Sequence, residues 1–316
     1  MIIPFHFAAA YVLDILLGDP RSIPHPVQII GWGVRRCEGF IRRHMSDLRR
    51  GGVLLWLVVV AGTYGGAYLL QASACWIHGV VGAVVVIAGA WTTLAMRSLF
   101  DQSRAVVVEV EKGDLPAARR ELSMIVGRDT ENLGGEEILQ AVVETVAENI
   151  SDGVIAPMCY LLLGGFPLAL AYKAVNTLDS MVGYRDERYR DMGWCSARAD
   201  DIVNWIPARL TGWLIVTSAF MLGLNGRNAW RIMRRDGRNH LSPNSGIPEA
   251  AMAGALGLKV GGAHSYFGKT VEKPTIGDRH KTVDTGDIRA AWHIMFFSSS
   301  AMAVLVLIAL LVVHHV

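Results

Sequence analysis

The chain has 316 residues, of which 52% are hydrophobic and 18% are charged, with a formal net charge of +2. Soluble domains usually carry about a quarter of charged residues, so this composition indicates a membrane protein. A nearly neutral chain lacks the basic footprint of a nucleic-acid-binding protein, which excludes that class. Four cysteines are scattered without a CxxC pair, which argues against a disulfide framework or a zinc site.

The first apolar segment, residues 2–18, predicts a membrane helix. It lacks the basic region of a cleaved signal peptide and carries Asp14, so we expect it to remain in the mature protein. An acid inside an apolar helix is a functional hint, because charges are costly in lipid. Asp19 and His25 follow in a proline-rich loop, although a histidine alone is more often structural than catalytic.

Segments 53–72 and 76–96 predict two more membrane helices joined as a hairpin. The range Gly51–Met96 contains no Asp, Glu, Lys or Arg, which is enough for two helices of about 20 residues. Buried helices of soluble proteins rarely stay uncharged on every face for so long, so membrane insertion is favoured. The later apolar segments are 154–176, 203–224 and 291–313.

The polar stretch before segment 154–176 contains an amphipathic helix, predicted over Glu131–Ile150. Carboxylates one turn apart repel by a few tenths of a kcal/mol, roughly, unless a cation lies among them. The pattern therefore fits either a solvated helix face or a site for a hard cation such as Mg²⁺. The polar face carries Glu137, Gln140, Glu144 and Glu148, the apolar face carries Leu139, Val142, Val143 and Val146, and Asp152 follows the expected helix end.

A Gly-Gly-x-Pro sequence interrupts segment 154–176 at Gly164, Gly165 and Pro167. Two topologies remain open. A full span places the three basic polar stretches on the cytoplasmic side, whereas a re-entrant pair of half-helices reverses every later loop unless another segment also fails to span. The polar stretches are 19–51, 97–153, 177–202 and 225–290, and the third has no basic excess.

Polar residues accumulate where segment 154–176 ends and segment 203–224 begins. Charges at such positions usually face a partner or a cavity. Snorkelling toward the membrane surface explains a single Lys or Arg, but it explains paired acids poorly. The first group is Lys173, Asn176 and Asp179, and the second is Arg198, Asp200, Asp201 and Asn204.

Stretch 225–290 contains a helix predicted over Glu249–Leu258, headed by Ser-Pro-Asn and a proline, where phosphate oxygens bind well. The run Gly262–Thr270 is not a P-loop, because five residues rather than four separate its glycines and no strand pattern precedes it. With Lys269 and Lys273 this run fits either a phosphate-binding turn or an ordinary surface loop.

These patterns predict an all-α, multi-pass integral membrane protein with about four to six membrane helices and helical polar loops. We expect residues 1–316 to form a single membrane domain. Its stretches 97–153, 177–202 and 225–290 are expected to carry the chemistry.

Five motifs follow one another between about Asp14 and Asp278. They are LLGDPRSIPHPVQIIG, IVGRDT, AVVETVAENISDGVIAPMCY, YKAVNTLDSMVGYRDERYRDMGW with SARADDIVNWIPARL, and LSPNSGIPEAAMAGALGLKVGG with SYFG. Together they resemble the CbiB/CobD-type cobalamin biosynthesis proteins, which are adenosylcobinamide-phosphate synthases of the inner membrane.

The resemblance implies an acid–amine ligase of the bacterial or archaeal inner membrane. Such an enzyme joins a carboxylate of adenosylcobyric acid to (R)-1-aminopropan-2-ol or its O-phosphate, giving adenosylcobinamide or its phosphate. ATP and Mg²⁺ are implied, because a carboxylate is a poor acyl donor until it is phosphorylated. The expected partners are the corrinoid, the amine, the lipid bilayer and other late corrinoid-pathway membrane enzymes, but not nucleic acid.

On this resemblance we assign three groups of site residues, in which Asp200 or Asp201 orients or deprotonates the amine. The catalytic group is Asp200, Asp201, Lys173, Asp179 and Asn176. The substrate- and phosphate-binding group is Asp14, Asp19, His25, Arg128, Asp129, Arg185, Arg198, Asn204, Ser242, Asn244, Tyr266 and Lys273. The expected Mg²⁺ ligands are Glu144, Glu148 and Asp152.

Two other classes compete with the ligase. A transporter or channel is favoured by the interrupted segment and by Asp14, but the polar stretches are large and no inverted repeat is visible. A non-catalytic sensor or scaffold relative would be expected to lack the dense acidic and Asn-Asp motifs. Those motifs favour the ligase.

Overall fold

The structure is a computed structural model that describes residues 2–19, 25–184, 186–266, 268–272 and 274–315. Helices dominate this part of the chain, which confirms the predicted all-α class. The helices are α1 (Pro4–Leu17), α2 (Pro26–His44), α3 (Leu48–Ile77), α4 (Gly79–Trp91), α5 (Met96–Glu111), α6 (Leu115–Ser123), α7 (Gly135–Asn149), a π-helical segment (Ile150–Ile155), α8 (Ala156–Val182), α9 (Trp194–Val203), α10 (Trp205–Met221), α11 (Gly226–Asp236), α12 (Gly246–Leu256) and α13 (Thr285–His315).

Four short strands lie in the stretch between α12 and α13. Lys259–Val260 (β1) pairs antiparallel with Ile276–Gly277 (β4), and Ala263–Tyr266 (β2) pairs antiparallel with Lys269–Glu272 (β3). The predicted helical character of the polar loops is therefore interrupted here by two small β-ladders. In the first ladder Lys259 lies opposite Gly277, and in the second Ala263 lies opposite Glu272.

The length and composition of the helices are those of a membrane protein. Four stretches are long and apolar enough to cross a bilayer, and α1 is apolar but shorter. Only 17% of the most apolar window of α3 is buried against protein, so most of its apolar side chains need another apolar environment. The four stretches are Leu48–Ile77, Gly79–Glu111, Gly135–Val182 and Thr285–His314.

The chain divides into two compact units. The first comprises residues 1–95, 156–204 and 303–316, and the second comprises residues 96–155 and 205–302. In the first unit α3 packs against α2, α4, α8 and α9, and α2 also contacts α8. Its core buries apolar residues of α2, α3 and α8, among them Ile30, Val34, Leu55, Val59, Phe166 and Leu178.

Helix α8 is broken in its middle, as the Gly-Gly-x-Pro sequence predicts. Gly164 has φ −150° and ψ 16°, and Gly165 has φ 66° and ψ −160°. The second conformation is reached almost only by glycine, because a Cβ clashes with the backbone there. Pro167 lies just inside the following half-helix, where its missing N–H is tolerated.

We expect the exchange Gly165→Ala to lower the free energy of unfolding by about 1–3 kcal/mol, because alanine must adopt a strained backbone conformation. Gly62 in α3 is the matched control, since an added Cβ there meets nothing within 4 Å. Thermal unfolding of both variants in detergent measures the difference. An unfolding temperature for Gly165→Ala as high as that of Gly62→Ala would contradict the strained break.

In the second unit α7 buries the predicted apolar face, whereas Gln140, Glu144 and Glu148 of the predicted polar face are partly buried. Leu139, Val142, Val143 and Val146 are all buried. The helix begins at Gly135 rather than at Glu131, because Glu137 accepts a hydrogen bond from the Gly134 N–H (2.7 Å) and caps the start.

Helix α7 ends at Asn149, within one residue of the predicted end, but the chain remains helical beyond this point. The chain continues through the π-helical segment Ile150–Ile155 directly into α8. The side chain of Asn149 donates a hydrogen bond back to the Thr145 carbonyl (3.0 Å) instead of capping a helix end. Wider π turns are often found at functional sites.

Helices α10, α11 and α12 pack together in the second unit. Close approach is possible because α12 consists mostly of small buried residues. A Cβ at Gly254 would lie 2.7 Å from the Ala229 Cα, and the Asn228 side chain donates to the Gly254 carbonyl (2.8 Å). The helix begins at Gly246 and ends at Leu256, about two to three residues earlier than the sequence predicts.

Candidate functional site

The first unit contains a polar cluster on α8 and α9, which we call the α8–α9 cluster. Asn176 Nδ2 donates to Asp200 Oδ1 at 3.4 Å, and the Tyr172 hydroxyl donates to Asn204 Oδ1 at 2.8 Å. The first contact joins the two predicted groups, and the second adds Tyr172, which the sequence did not single out. The cluster comprises Lys173, Asn176 and Asp179 from α8, which share a face at spacings of three, Asp200 and Asp201 from α9, and Asn204, which directly follows α9.

Burial distinguishes this cluster from a solvated surface. Lys173, Asn176, Asp179, Asp200 and Asp201 are all only partly exposed. Polar groups that are partly withdrawn from water have stronger electrostatic interactions than exposed ones. The cluster can therefore orient an amine or a carboxylate and move a proton.

Aromatic rings support the Asn204 end of this cluster. Tyr160 stacks on Tyr172 with ring centroids 4.8 Å apart, and the Tyr160 hydroxyl donates to the Val203 carbonyl at 2.9 Å. Asn204 itself is buried, and its Nδ2 has no hydrogen-bond partner among the described residues. The rings fix the position at which α9 ends.

Arg198 lies at the edge of the cluster rather than inside it. Its side chain is 69% exposed, and Nη1 lies 3.8 Å from Asp201 Oδ2. Exposed ion pairs contribute little to stability, so Arg198 can turn toward another anion at small cost. Arg185 and Lys273, two predicted phosphate-binding residues, lie outside the described residues, as does the side chain of Tyr266.

The N-terminal residues of the predicted site also belong to the first unit. Asp14 is fully buried within α1. His25 caps α2, because its Nδ1 accepts a hydrogen bond from the Val27 N–H (3.3 Å), and its Nε2 lies 3.3 Å from Asp19 Oδ1. These contacts give His25 the structural role that the sequence left open.

The second unit holds a buried ion pair between Arg128 and Glu144. Arg128 Nη1 lies 3.1 Å from Glu144 Oε2, and the two side chains are only 7% and 15% exposed. Glu144 Oε1 also accepts hydrogen bonds from the Gly261 N–H (2.8 Å) and from Gln140 Nε2 (3.1 Å). The acidic face of α7 therefore holds the glycine turn after β1 in place.

Asp129 anchors the β2–β3 hairpin. Its Oδ2 accepts hydrogen bonds from the Ser265 hydroxyl (2.6 Å) and the Gly268 N–H (2.8 Å), and its own N–H donates to the Ser265 carbonyl (2.9 Å). The Gly-rich run thus forms a hairpin, in agreement with the rejection of a P-loop. Its contacts give Asp129 a positioning role.

The Ser-Pro-Asn loop before α12 is also tied to α7. Ser245 Oγ donates to Glu148 Oε1 at 2.9 Å. Ser242 Oγ accepts from the Asn244 and Ser245 N–H groups (3.2 and 3.3 Å), and Asn244 Oδ1 accepts from Arg209 Nη1 (2.8 Å). Ser242 and Asn244 therefore shape this loop.

The expected Mg²⁺ ligands are not assembled as a three-carboxylate group. No three His, Cys, Asp or Glu side chains in the described ranges are grouped so as to hold a metal. Asp152 follows Glu148 by four residues and lies in the π-helical segment rather than in α7. Mg²⁺ commonly takes one or two carboxylates together with substrate phosphates, and Glu144 and Glu148 fit that smaller set.

A pocket of about 200 Å³ lies beside the Arg128–Glu144 pair. Gln140 and Gly261, which contact Glu144, also line this pocket. Three cationic residues on its wall, Lys259, Arg279 and Lys281, were missed by the sequence analysis. The pairing of β1 with β4 brings them together, and the only sequence signal is the basic Arg-His-Lys run after Asp278.

Comparison with known proteins decides the family. The model of the CobD/Cbib protein family matches residues 7–295. The chain belongs to the CobD/CbiB family. A cobalamin biosynthesis protein CobD of Geobacter metallireducens is 55% identical over 300 residues, which covers 95% of this chain and 93% of that protein.

Two further relatives carry similar names. A cobalamin biosynthesis protein CobD of Clostridium perfringens is 48% identical over 88% of this chain and 89% of its own length. A cobalamin biosynthesis protein CbiB of Salmonella typhimurium is 47% identical over 94% of each chain. No solved structure matches. Membership of the CobD/CbiB family supports a role in cobalamin biosynthesis.

In this CobD/CbiB family member a network of charges joins α11 to β4. Arg235 Nε lies 2.7 Å from Asp236 Oδ1, Arg235 Nη2 lies 2.8 Å from Asp278 Oδ1, and the Gly277 N–H donates to Asp236 Oδ2 (2.8 Å). The hydrogen bonds from Arg235 hold the pKa values of Asp236 and Asp278 below their ordinary value. The carboxylates are therefore stabilised in their charged form.

This network predicts how stability depends on pH. A lowered pKa contributes stability that is present above the unfolded value of about 3.9 and is lost as the pH falls through the folded value. We therefore expect the Asp236→Asn variant to lose less stability than the wild type as the pH falls below about 4. Unfolding temperatures between pH 3 and pH 7 measure it, with Asp191→Asn, an exposed acid, as control. An unchanged acid profile in Asp236→Asn would contradict the lowered pKa.

Proposed function

We propose that this protein catalyses ATP-dependent amide-bond formation in cobalamin biosynthesis. The substrates are a carboxylate of adenosylcobyric acid and (R)-1-aminopropan-2-ol or its O-phosphate. Family membership over residues 7–295 and the names of the relatives support the pathway. The observation that carries the reaction type is the α8–α9 cluster, in which a lysine, two asparagines and three acids lie at the end of an apolar helix and just before the start of the next.

The proposed chemistry has two steps. The substrate carboxylate first takes the terminal phosphoryl group of ATP, and ADP leaves. The amine nitrogen then attacks the activated carbonyl carbon, the C–N bond forms, and phosphate departs with the electron pair of the C–O bond. The nitrogen must lose a proton during this attack, so a carboxylate within reach of the amine accelerates the step.

The α8–α9 cluster supplies the groups for the second step. Asp200 or Asp201 accepts the proton from the amine nitrogen. Asn176 holds the Asp200 carboxylate through its amide hydrogen bond, which keeps the base oriented. Lys173 and Asp179 lie on the same face of α8, where Lys173 offers a positive charge to the departing phosphate.

Arg198 and two acids of α7 are the predicted residues that we propose for phosphate and metal binding. Arg198 is exposed and held weakly, so its guanidinium can bind phosphate oxygens bidentately. Mg²⁺, when bound, would neutralise phosphate charge, and Glu144 and Glu148 are the proposed acids for it. Arg128, Asp129, Ser242 and Asn244 keep this part of the second unit in shape.

The test is synthesis by the purified protein. The protein in detergent is supplied with adenosylcobyric acid, aminopropanol or its O-phosphate, ATP and Mg²⁺, and the amide is followed by mass spectrometry. We expect product only when ATP and Mg²⁺ are both present. Corrinoid binding without product would favour the sensor or scaffold class, and corrinoid movement across vesicles without product would favour a transporter.

A further inference from the structure

The pocket beside the Arg128–Glu144 pair has the composition of an anion site. Its wall carries Lys259, Arg279 and Lys281 against one acid, Glu136. A volume of about 200 Å³ is smaller than the roughly 300–1,000 Å³ typical of sites for drug-sized ligands. The pocket therefore suits a small charged group rather than a whole corrinoid.

The positive charges are held there by different means. Lys281 is fixed because it forms an ion pair with Asp287, whose side chain is only 4% exposed. Arg279 forms an ion pair with Glu136 (3.0 Å) in which both side chains are about half exposed. Exposed pairs of this kind are weak, so Arg279 can exchange Glu136 for a ligand anion.

The floor of the pocket is rigid. Gln140 Nε2 donates to the Gly261 carbonyl (3.0 Å), and the Gly261 N–H donates to Glu144. Lys259 stands opposite Gly277 in the β1–β4 ladder, and its side chain points to the exposed side of β1. A fixed floor beside several cationic side chains is what recognition of a compact anion requires.

We propose that this pocket binds a phosphoryl group, either the polyphosphate of a nucleotide or a phosphate monoester. Lys259, Arg279 and Lys281 supply the positive charge, and Gln140 supplies the fixed floor. The choice of these two ligand sources rests on the proposed function, in which ATP and the O-phosphate of aminopropanol are the phosphorylated substrates. The assignment of the site rests on the pocket itself.

The test is direct binding without the corrinoid, so that no ligation occurs. Titration calorimetry in detergent compares ATP with Mg²⁺, aminopropanol O-phosphate and unphosphorylated aminopropanol. We expect the variant Lys259→Gln with Arg279→Gln to bind at least one phosphorylated ligand about tenfold or more weakly. Lys112→Gln, which removes an exposed lysine of the same unit, is the control and should bind as the wild type does.

A second variant changes binding in the opposite direction. Glu136→Gln removes the acid that competes for Arg279, and it should tighten phosphate binding about twofold or more. A purely structural role for this ion pair would not produce tighter binding. Unfolding temperatures near that of the wild type show that each variant is folded.

Each outcome decides a separate point. Weakening for ATP alone assigns the pocket to the nucleotide, and weakening for the O-phosphate alone assigns it to the amine. Equal affinities in the double variant and the wild type would contradict the proposal that this pocket binds phosphate. Absence of phosphate binding by the wild type would contradict it as well. Phosphate binding that depends on Lys259 and Arg279, without any amide synthesis, would contradict the proposed ligase activity but support the proposed phosphate site.

Discussion

The exchange Asp200→Asn is expected to lower the rate of amide synthesis about 10²- to 10⁴-fold, because it removes a positioned proton acceptor while keeping the shape of the side chain. The Asn176 amide still finds an oxygen at this position, so the helix contact is largely preserved. The initial rate of amide formation, measured by mass spectrometry at saturating ATP, is the readout. Asp201→Asn is measured in parallel, and the larger loss identifies the base.

The control for this prediction is Glu187→Gln, which neutralises an exposed acid of the same unit. It should keep the wild-type rate. Asn176→Ala should lower the rate less than Asp200→Asn and should change its dependence on pH, because the amide only orients the carboxylate. Wild-type rates in both Asp200→Asn and Asp201→Asn would remove the α8–α9 cluster from the mechanism.

The exchange Glu144→Ala is expected to lower the free energy of unfolding by about 3–5 kcal/mol and to abolish synthesis. It leaves the Arg128 guanidinium buried without the carboxylate that lies 3.1 Å away, and breaking a buried pair from one side is strongly destabilising. It also removes the acceptor for the Gly261 N–H. Thermal unfolding in detergent and the amide assay measure the two effects.

Two matched variants separate charge from packing. Glu111→Ala breaks an exposed ion pair with Arg289 and should change stability by about 0.5 kcal/mol or less. Glu144→Gln combined with Arg128→Met removes both charges while keeping an oxygen for Gly261, and it should be more stable than Glu144→Gln alone. Equal stability of the single and double variants would show that the unpaired Arg128 charge does not cause the loss of stability.

Glu148 allows the proposed Mg²⁺ binding to be tested separately from the stability of the fold. This acid accepts one hydrogen bond from the Ser245 hydroxyl, so its removal should disturb the fold less than removal of Glu144. If it binds Mg²⁺ with substrate, Glu148→Ala requires more Mg²⁺ for half-maximal synthesis. Unchanged synthesis in Glu144→Ala or Glu148→Ala would end the assignment of that residue to the metal.

Periodicity and composition predicted the parts of the fold that depend on local sequence. The uncharged run of α3, the two faces of α7 and the break at Gly165 could each be predicted within one segment, because lipid exposure, helical spacing and backbone conformation are local. The grouping of Asn176 with Asp200 followed from two motifs that flank one short connection.

The missed features all depend on contacts between distant segments. Asp129 bonds to Ser265, which is 136 residues away, and Glu144 bonds to Gly261, which is 117 residues away. No spacing rule predicts such pairs. The lysine and arginine residues of the pocket were missed for the same reason, since the pairing of β1 with β4 brings Lys259 near the residues after β4 only after folding.

The break in α8 has an electrostatic consequence that no titratable residue supplies. At Gly164 and Gly165 one half-helix ends and another begins, so the peptide dipoles of the two halves terminate inside a charge-free part of the chain. Each terminus carries the equivalent of about half an elementary charge, negative where the first half ends and positive where the second begins. Such a charge has no proton to gain or lose, so the first unit keeps a fixed polarity in its apolar region at every pH.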